Sequence, residues 1–128
     1  MRLLLDTHVA LWVLTGDSRL GESAFAMIAA PENEIFVSAV TIWEIAIKYQ
    51  LRPDQVPMPP QLAIELSEAS GYRLLAVQPH HAAAVGELPP IHRDPFDRLL
   101  VAQALTEPLR LMTRDRTVAA YSDTILLV

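Results

Sequence analysis

The sequence predicts an α/β domain, a mostly parallel five-stranded sheet with helices on both faces, and three observations predict it. Short, continuous apolar runs alternate with longer helical stretches, which is the pattern left by strands buried on both sides and joined by helices. The 128 residues suit one domain, 1–128, long enough to bury a core without a staple. Four acids, Asp6, Glu44, Asp97 and Asp115, each stand where an apolar run gives way to polar residues. In an open sheet, strand ends and helix starts converge on one crevice, so acids so placed can meet.

Taken in order, residues 2–5 read as a short buried strand, and residues 7–14 as the helix after it, with Val9, Leu11, Trp12 and Leu14 apolar. Thr15-Gly16-Asp17 is a turn, residues 22–30 a small helix ending near Pro31, and residues 35–37 a second strand. Ser38 or Thr41 starts a helix that reaches about Gln50. Pro53, Pro57, Pro59 and Pro60 forbid regular pairing over 52–61, which is expected to be a stiff surface connection. A helix over 62–70 ends at Gly71, residues 73–77 form a third strand, and Pro79 opens a helix that Pro89-Pro90 stops. Asp94-Pro95 begins a helix to about Thr106, and residues 109–112 and 125–128 are the fourth and fifth strands.

Composition excludes several classes. The absence of cysteine rules out disulfides and thiolate metal sites and fits a reducing compartment, with cytoplasm the expectation. The opening run Leu3-Leu4-Leu5 is broken by Asp6, and no later apolar stretch approaches the roughly 18 residues that span a bilayer, so no membrane partner is expected. A net charge of −5 is not the global signature of a nucleic-acid binder. Locally, however, Arg93, Arg98, Arg114 and Arg116 lie beside Asp94, Asp97 or Asp115, which gives the expected acidic pocket a basic rim.

Each acid has a structural reading beside the functional one. Asp6 suits an N-cap as well as a charged site at the middle of the sheet, and the two are compatible. Glu44 fits a capping box with Thr41 and an i, i+4 pair with Lys48, but its helix is apolar nearly all round, so the strip carrying it is narrow enough to face a cleft. Asp94 is explained as the N-cap before Pro95. Asp97 follows in an already capped first turn and is favoured as a ligand. Asp115, just past a strand, is a turn residue, a cap or a site acid. The four histidines lack metal-ligand spacing and read as non-ligands, with His80 and His81 pointing apart on a helix. Carboxylates that crowd together resist ionising, and a hard divalent cation bound through oxygen keeps them charged. No Gly-rich phosphate loop, G-x-S-x-G elbow or cysteine nucleophile competes with that chemistry.

Leu4-Leu5-Asp6-Thr7-His8, Ser38-Ala39-Val40-Thr41-Ile42-Trp43-Glu44-Ile45, the run from His92 to Ala104 and Met112-Thr113-Arg114-Asp115 together closely resemble the PIN domain of VapC-type toxins, across essentially the whole chain. The resemblance implies a Mg²⁺-dependent ribonuclease toxin, with Mn²⁺ as an alternative ion, inhibited by a cognate antitoxin and often homodimeric. By motif it puts Asp6, Glu44, Asp97 and Asp115 at the family's catalytic, metal-binding positions, and Ser38, Asp94 and Thr113 along the site's lining. Arg93, Arg98, Arg114 and Arg116 are then candidates to hold flanking RNA phosphates. Two rivals stand beside this reading: a non-catalytic protein-binding or regulatory module, and an aspartate-dependent phosphatase, for which Asp6-Thr7-His8 lacks the second carboxylate two residues on.

Overall fold

In the computed structural model, which describes residues 1–128, five strands build one sheet: β1 (Arg2–Leu5), β2 (Glu34–Ser38), β3 (Arg73–Leu75), β4 (Arg110–Thr113) and β5 (Leu126–Leu127). Their order is β3-β2-β1-β4-β5, and every pairing is parallel. The expectation of a mostly parallel sheet is thus met in full. The seven helices are α1 (Thr7–Thr15), α2 (Glu22–Ala29), α3 (Ala39–Leu51), α4 (Pro60–Ala69), α5 (Pro79–Val85), α6 (Pro95–Thr106) and α7 (Arg116–Ala119), with a single 3-10 turn at Ser18–Leu20.

The period of two along each strand sorts the core onto the two faces. Leu3, Leu5, Ile35, Val37 and Met112 point to one side and pack with Val9 and Ala10 of α1 and Ala24 and Ile28 of α2. Leu4, Phe36 and Leu111 point to the other and meet Leu100, Val101 and Ala104 of α6, Val40 of α3 and Val118 of α7. Because β1 is covered on both faces, Leu3, Leu4 and Leu5 are all fully buried, which explains why that strand reads as a continuous apolar run.

Local signals set the helix ends. Asp6, Ser38, Asp94 and Asp115 each accept a backbone N–H at the start of α1, α3, α6 and α7. Gly16, with φ +68°, closes α1 in the left-handed conformation that side chains avoid. The structure corrects two expectations. The start of α3 is Ser38, so Thr41 lies inside the helix and no capping box with Glu44 forms. The proline-rich segment is irregular, as its prolines require, but it is not merely a surface strap. Val56 and Met58 are buried and pack with Leu11, Ile45 and Ala63 in a third apolar cluster. Prolines suppress secondary structure without preventing the intervening apolar side chains from sinking into a groove between helices.

Candidate active site

β1 sits between β2 and β4, and the chain leaves it for a strand on one side and returns on the other, so the crevice beyond its carboxyl end is the topological switch point. A cleft of about 330 Å³ opens there, lined by Asp6, Thr7, His8, Trp12, Glu44, Lys48, Asp94, Asp97, Arg114 and Asp115. All four predicted acids converge on it, Asp6 from the exit of β1, Glu44 from α3, Asp97 from α6 and Asp115 from the exit of β4. Trp43 meets Phe96 edge-on with ring centroids 4.9 Å apart, which ties α3 to α6 beside the cleft.

Each acid is oriented by its own bonds. One oxygen of Asp6 accepts the His8 N–H at 2.9 Å and the other accepts the Thr113 hydroxyl at 2.6 Å, so this residue is both a helix cap and a cleft wall. Thr113 in turn accepts the Asp115 N–H at 3.0 Å, coupling the exits of β1 and β4. Glu44 is 4% exposed. Its Oε1 accepts the Thr7 hydroxyl at 2.7 Å and its Oε2 pairs with Lys48 Nζ at 2.5 Å, the i, i+4 contact expected from the sequence. Asp115 Oδ1 caps α7 through the Thr117 N–H at 2.8 Å. Asp97 differs from the rest: its carboxylate caps nothing, and its close partner is the His92 ring, with Nε2 3.0 Å from Oδ2.

The electrostatics follow from this crowding. Burial, reinforced by Asp94, Asp6 and Glu44, pushes the Asp97 carboxyl up to about 7, against a partial lowering by His92. Burial also raises Asp6 above the usual carboxylate range despite its bonds from Thr113 and His8. Burial acts upward on Asp115 as well, but the backbone N–H groups of Thr117 and Val118 together with His92 outweigh it and hold that carboxyl below its ordinary value. A cation among these oxygens would relieve the repulsion that adds to burial in lifting Asp97. The donor set is oxygen-rich and anionic, which fits a hard divalent ion.

The predicted neighbours divide. Asp94 caps α6 by accepting the Phe96 and Asp97 N–H groups and also lines the cleft, whereas Thr113 is fully buried and reaches Asp6 without itself lining the cleft. Ser38 is fully buried behind the site, where its hydroxyl accepts the Val40 N–H and donates to Gln103 Oε1 at 2.5 Å, so it does not line the cleft. Of the arginines, Arg114 alone lines the cleft, with its guanidinium 5.1 Å from the Trp12 ring centroid. Arg93 and Arg116 are exposed outside it. Arg98 is not available to a phosphate: it donates to the carbonyls of Val85, Pro89 and His92 and to the Tyr121 hydroxyl. Successive helix residues point about 100° apart, so its place next to Asp97 in sequence turns it away from the cleft.

His92 is the residue that spacing did not reveal. Its Nε2 lies 3.0 Å from Asp97 Oδ2 and 3.4 Å from Asp115 Oδ2. His80 and His81 do not point apart as expected. Their ring centroids are 4.3 Å apart, because both lean toward Glu107, which accepts from His81 Nε2 at 2.5 Å. His81 Nδ1 accepts the Gln78 N–H, which anchors the first turn of α5.

A parallel sheet with these acids at its switch point defines a class, and comparison with known proteins agrees with it: residues 3–123 match the PIN domain model, and the chain belongs to the PIN-domain family. Within that family it is a homologue of the VapC-type ribonucleases. It is 32% identical to Ribonuclease VapC22 of Mycobacterium tuberculosis over 93% of this chain and 91% of the relative. The same fold occurs in a crystal structure of VapBC2 from Rickettsia felis bound to a promoter DNA fragment, with a TM-score of 0.71 and 15% identity over 100% of this chain and 98% of that one. It occurs again in DNA-bound VapBC from Salmonella typhimurium, with a TM-score of 0.66 and 14% identity over 100% and 97%.

Proposed function

We propose that this chain is the ribonuclease toxin of a toxin-antitoxin pair and hydrolyses RNA phosphodiester bonds at the cleft above β1. The observation that carries this reading is the convergence of Asp6, Glu44, Asp97 and Asp115, drawn from four separate elements, on one opening. Capping alone explains Asp6 and Asp115 but neither Glu44 nor Asp97, which lie within helices and face the same opening.

The four carboxylates would hold Mg²⁺ or Mn²⁺. Such an ion supplies an activated water and charge stabilisation for in-line displacement at phosphorus. The chain itself orients the acids: Thr113 turns Asp6, Thr7 and Lys48 fix the two oxygens of Glu44, and the α7 cap fixes Asp115. Asp115, exposed and held ionised, would stay charged as a ligand, and Glu44 or Asp115 would orient a water for attack. Arg114 at the rim is the arginine best placed for a flanking phosphate, with Arg93 and Arg116 further out.

The partner proposed is a cognate antitoxin protein, alongside self-association of the chain. Support for a protein partner comes from a wholly apolar groove of about 450 Å³ formed by Ala39, Ile42, Trp43, Ala46, Ile64 and β3 residues, where Trp43 is 56% exposed. No helix is long and apolar enough to cross a membrane.

The test is cleavage of RNA by the purified chain with Mg²⁺ or with EDTA, for wild type, Asp6→Asn and Asp97→Asn. Cleavage that requires the ion and both acids supports the reading. Folded variants that cleave like wild type would refute it and leave the acids as caps.

A further inference from the structure

The loop between α5 and α6 is held with unusual thoroughness for an exposed connection. Arg98 reaches back from α6 to the carbonyls of Val85 at 3.1 Å, Pro89 at 3.1 Å and His92 at 3.4 Å. The Tyr121 hydroxyl accepts from Arg98 at 2.9 Å and from the His92 N–H at 2.8 Å. Both backbone groups of His92 are therefore bound, and the residue so fixed is the one that faces the cleft acids.

The ring is fixed as well. Its Nδ1 accepts the N–H of Arg93 at 2.9 Å and of Asp94 at 3.3 Å, which places the ring proton on Nε2. His92, Asp97 and Asp115 bring ligand-capable atoms within 4.8 Å of one another, as a three-residue metal site would. Yet a neutral imidazole coordinating through Nε2 must carry its proton on Nδ1, where two N–H groups already point. The ring is thus a donor to carboxylates rather than a ligand.

We propose that His92 is a positioning residue of the cation site, its Nε2–H bridging Asp97 on α6 and Asp115 beyond β4 so that both face the cleft in register. This rests on the metal-dependent reading above. The Asp97 carboxylate has no close side-chain partner but the His92 ring, so without His92 nothing holds it against rotation away from the cleft. Arg98 and Tyr121 act one step further out, by holding the loop that carries the ring.

The test is Mn²⁺ binding to the full chain by electron paramagnetic resonance, with Mg²⁺ competition, on wild type and His92 variants. Support groups behind carboxylate and histidine ligands contribute about 10–100-fold to metal affinity, and His92→Leu is expected to lose that much. His92→Gln keeps an N–H donor at similar reach and is expected to recover most of it, a rescue that a purely structural role does not produce. If His92→Leu does not fold, His92→Asn, whose shorter amide reaches neither acid, carries the same expectation. Met58→Ala, destabilised in the third apolar cluster without touching a cleft residue, should bind Mn²⁺ like wild type. Wild-type affinity in a folded His92→Leu or His92→Asn overturns this inference alone. A wild-type chain that binds no Mn²⁺ at millimolar concentration overturns it together with the proposed function.

Discussion

Replacing Asp97 by Asn should make the protein inactive and, without metal, more stable at alkaline pH. The carboxyl rises from an ordinary 3.8 to about 7 because burial and three neighbouring acids disfavour its charge. A group whose value is higher folded than unfolded favours the fold while both states are protonated, and that advantage drains away as pH rises through the folded value. The affected window therefore runs from near 3.8 to somewhat above 7. At about 1.4 kcal/mol per pH unit the ceiling is about 4 kcal/mol. The side chain is 19% exposed, so solvent screening and local rearrangement will reduce this. We expect about 2 kcal/mol in practice. Urea denaturation of wild type and Asp97→Asn in EDTA, at about pH 5 and about pH 8, reads the difference directly. The variant should gain on wild type between the two conditions, and Mg²⁺ should reverse the order at the higher one by stabilising wild type alone. A gap that does not change with pH, or a variant less stable than wild type at about pH 8 without metal, would refute the claim that uncompensated charge is stored at this carboxyl.

Three further outcomes follow from the structure. Arg98→Ala should cost about 2–3 kcal/mol in denaturant, since it strips donors from three carbonyls and a hydroxyl, while the salt dependence of RNA binding stays as in wild type. A flattened salt slope would return Arg98 to the phosphate-binding set. Met58→Ala should cost about 2–4 kcal/mol by leaving a cavity among Leu11, Ile45 and Ala63, and a loss near zero in thermal melts would show that the proline segment is only draped over the surface. Trp43→Glu should shift the mass of the isolated chain in light scattering to that of a monomer if the apolar groove pairs two copies, whereas an unchanged mass would point that groove elsewhere.

Much of this was legible in the residues, for identifiable reasons. Leu3-Leu4-Leu5 ended by Asp6 marks β1 because a strand covered on both faces cannot alternate, and Asp94-Pro95 marks the first turn of α6 because cap and proline have one geometry there. The convergence of the acids was legible for the same reason: parallel strands put their exits on one side. Other features left no trace. The four residues of α7 are too few to show a period, and Val56 and Met58 sit among prolines that mask any pattern. Arg98 looked like a rim residue from its neighbours, but its true partners include backbone carbonyls, which every residue carries. The contact of His92 with the acids is hidden for a related reason, since it comes from a loop held at a distance by Arg98 and Tyr121.

Asp6 and Asp115 serve two masters, each starting a helix and each lining the cleft, whereas Asp97 starts nothing. A silent yet sturdy version of the protein, suitable for capturing whatever it binds, is therefore best sought at position 97. Changes at 6 or 115 would blunt the blade and loosen the handle together.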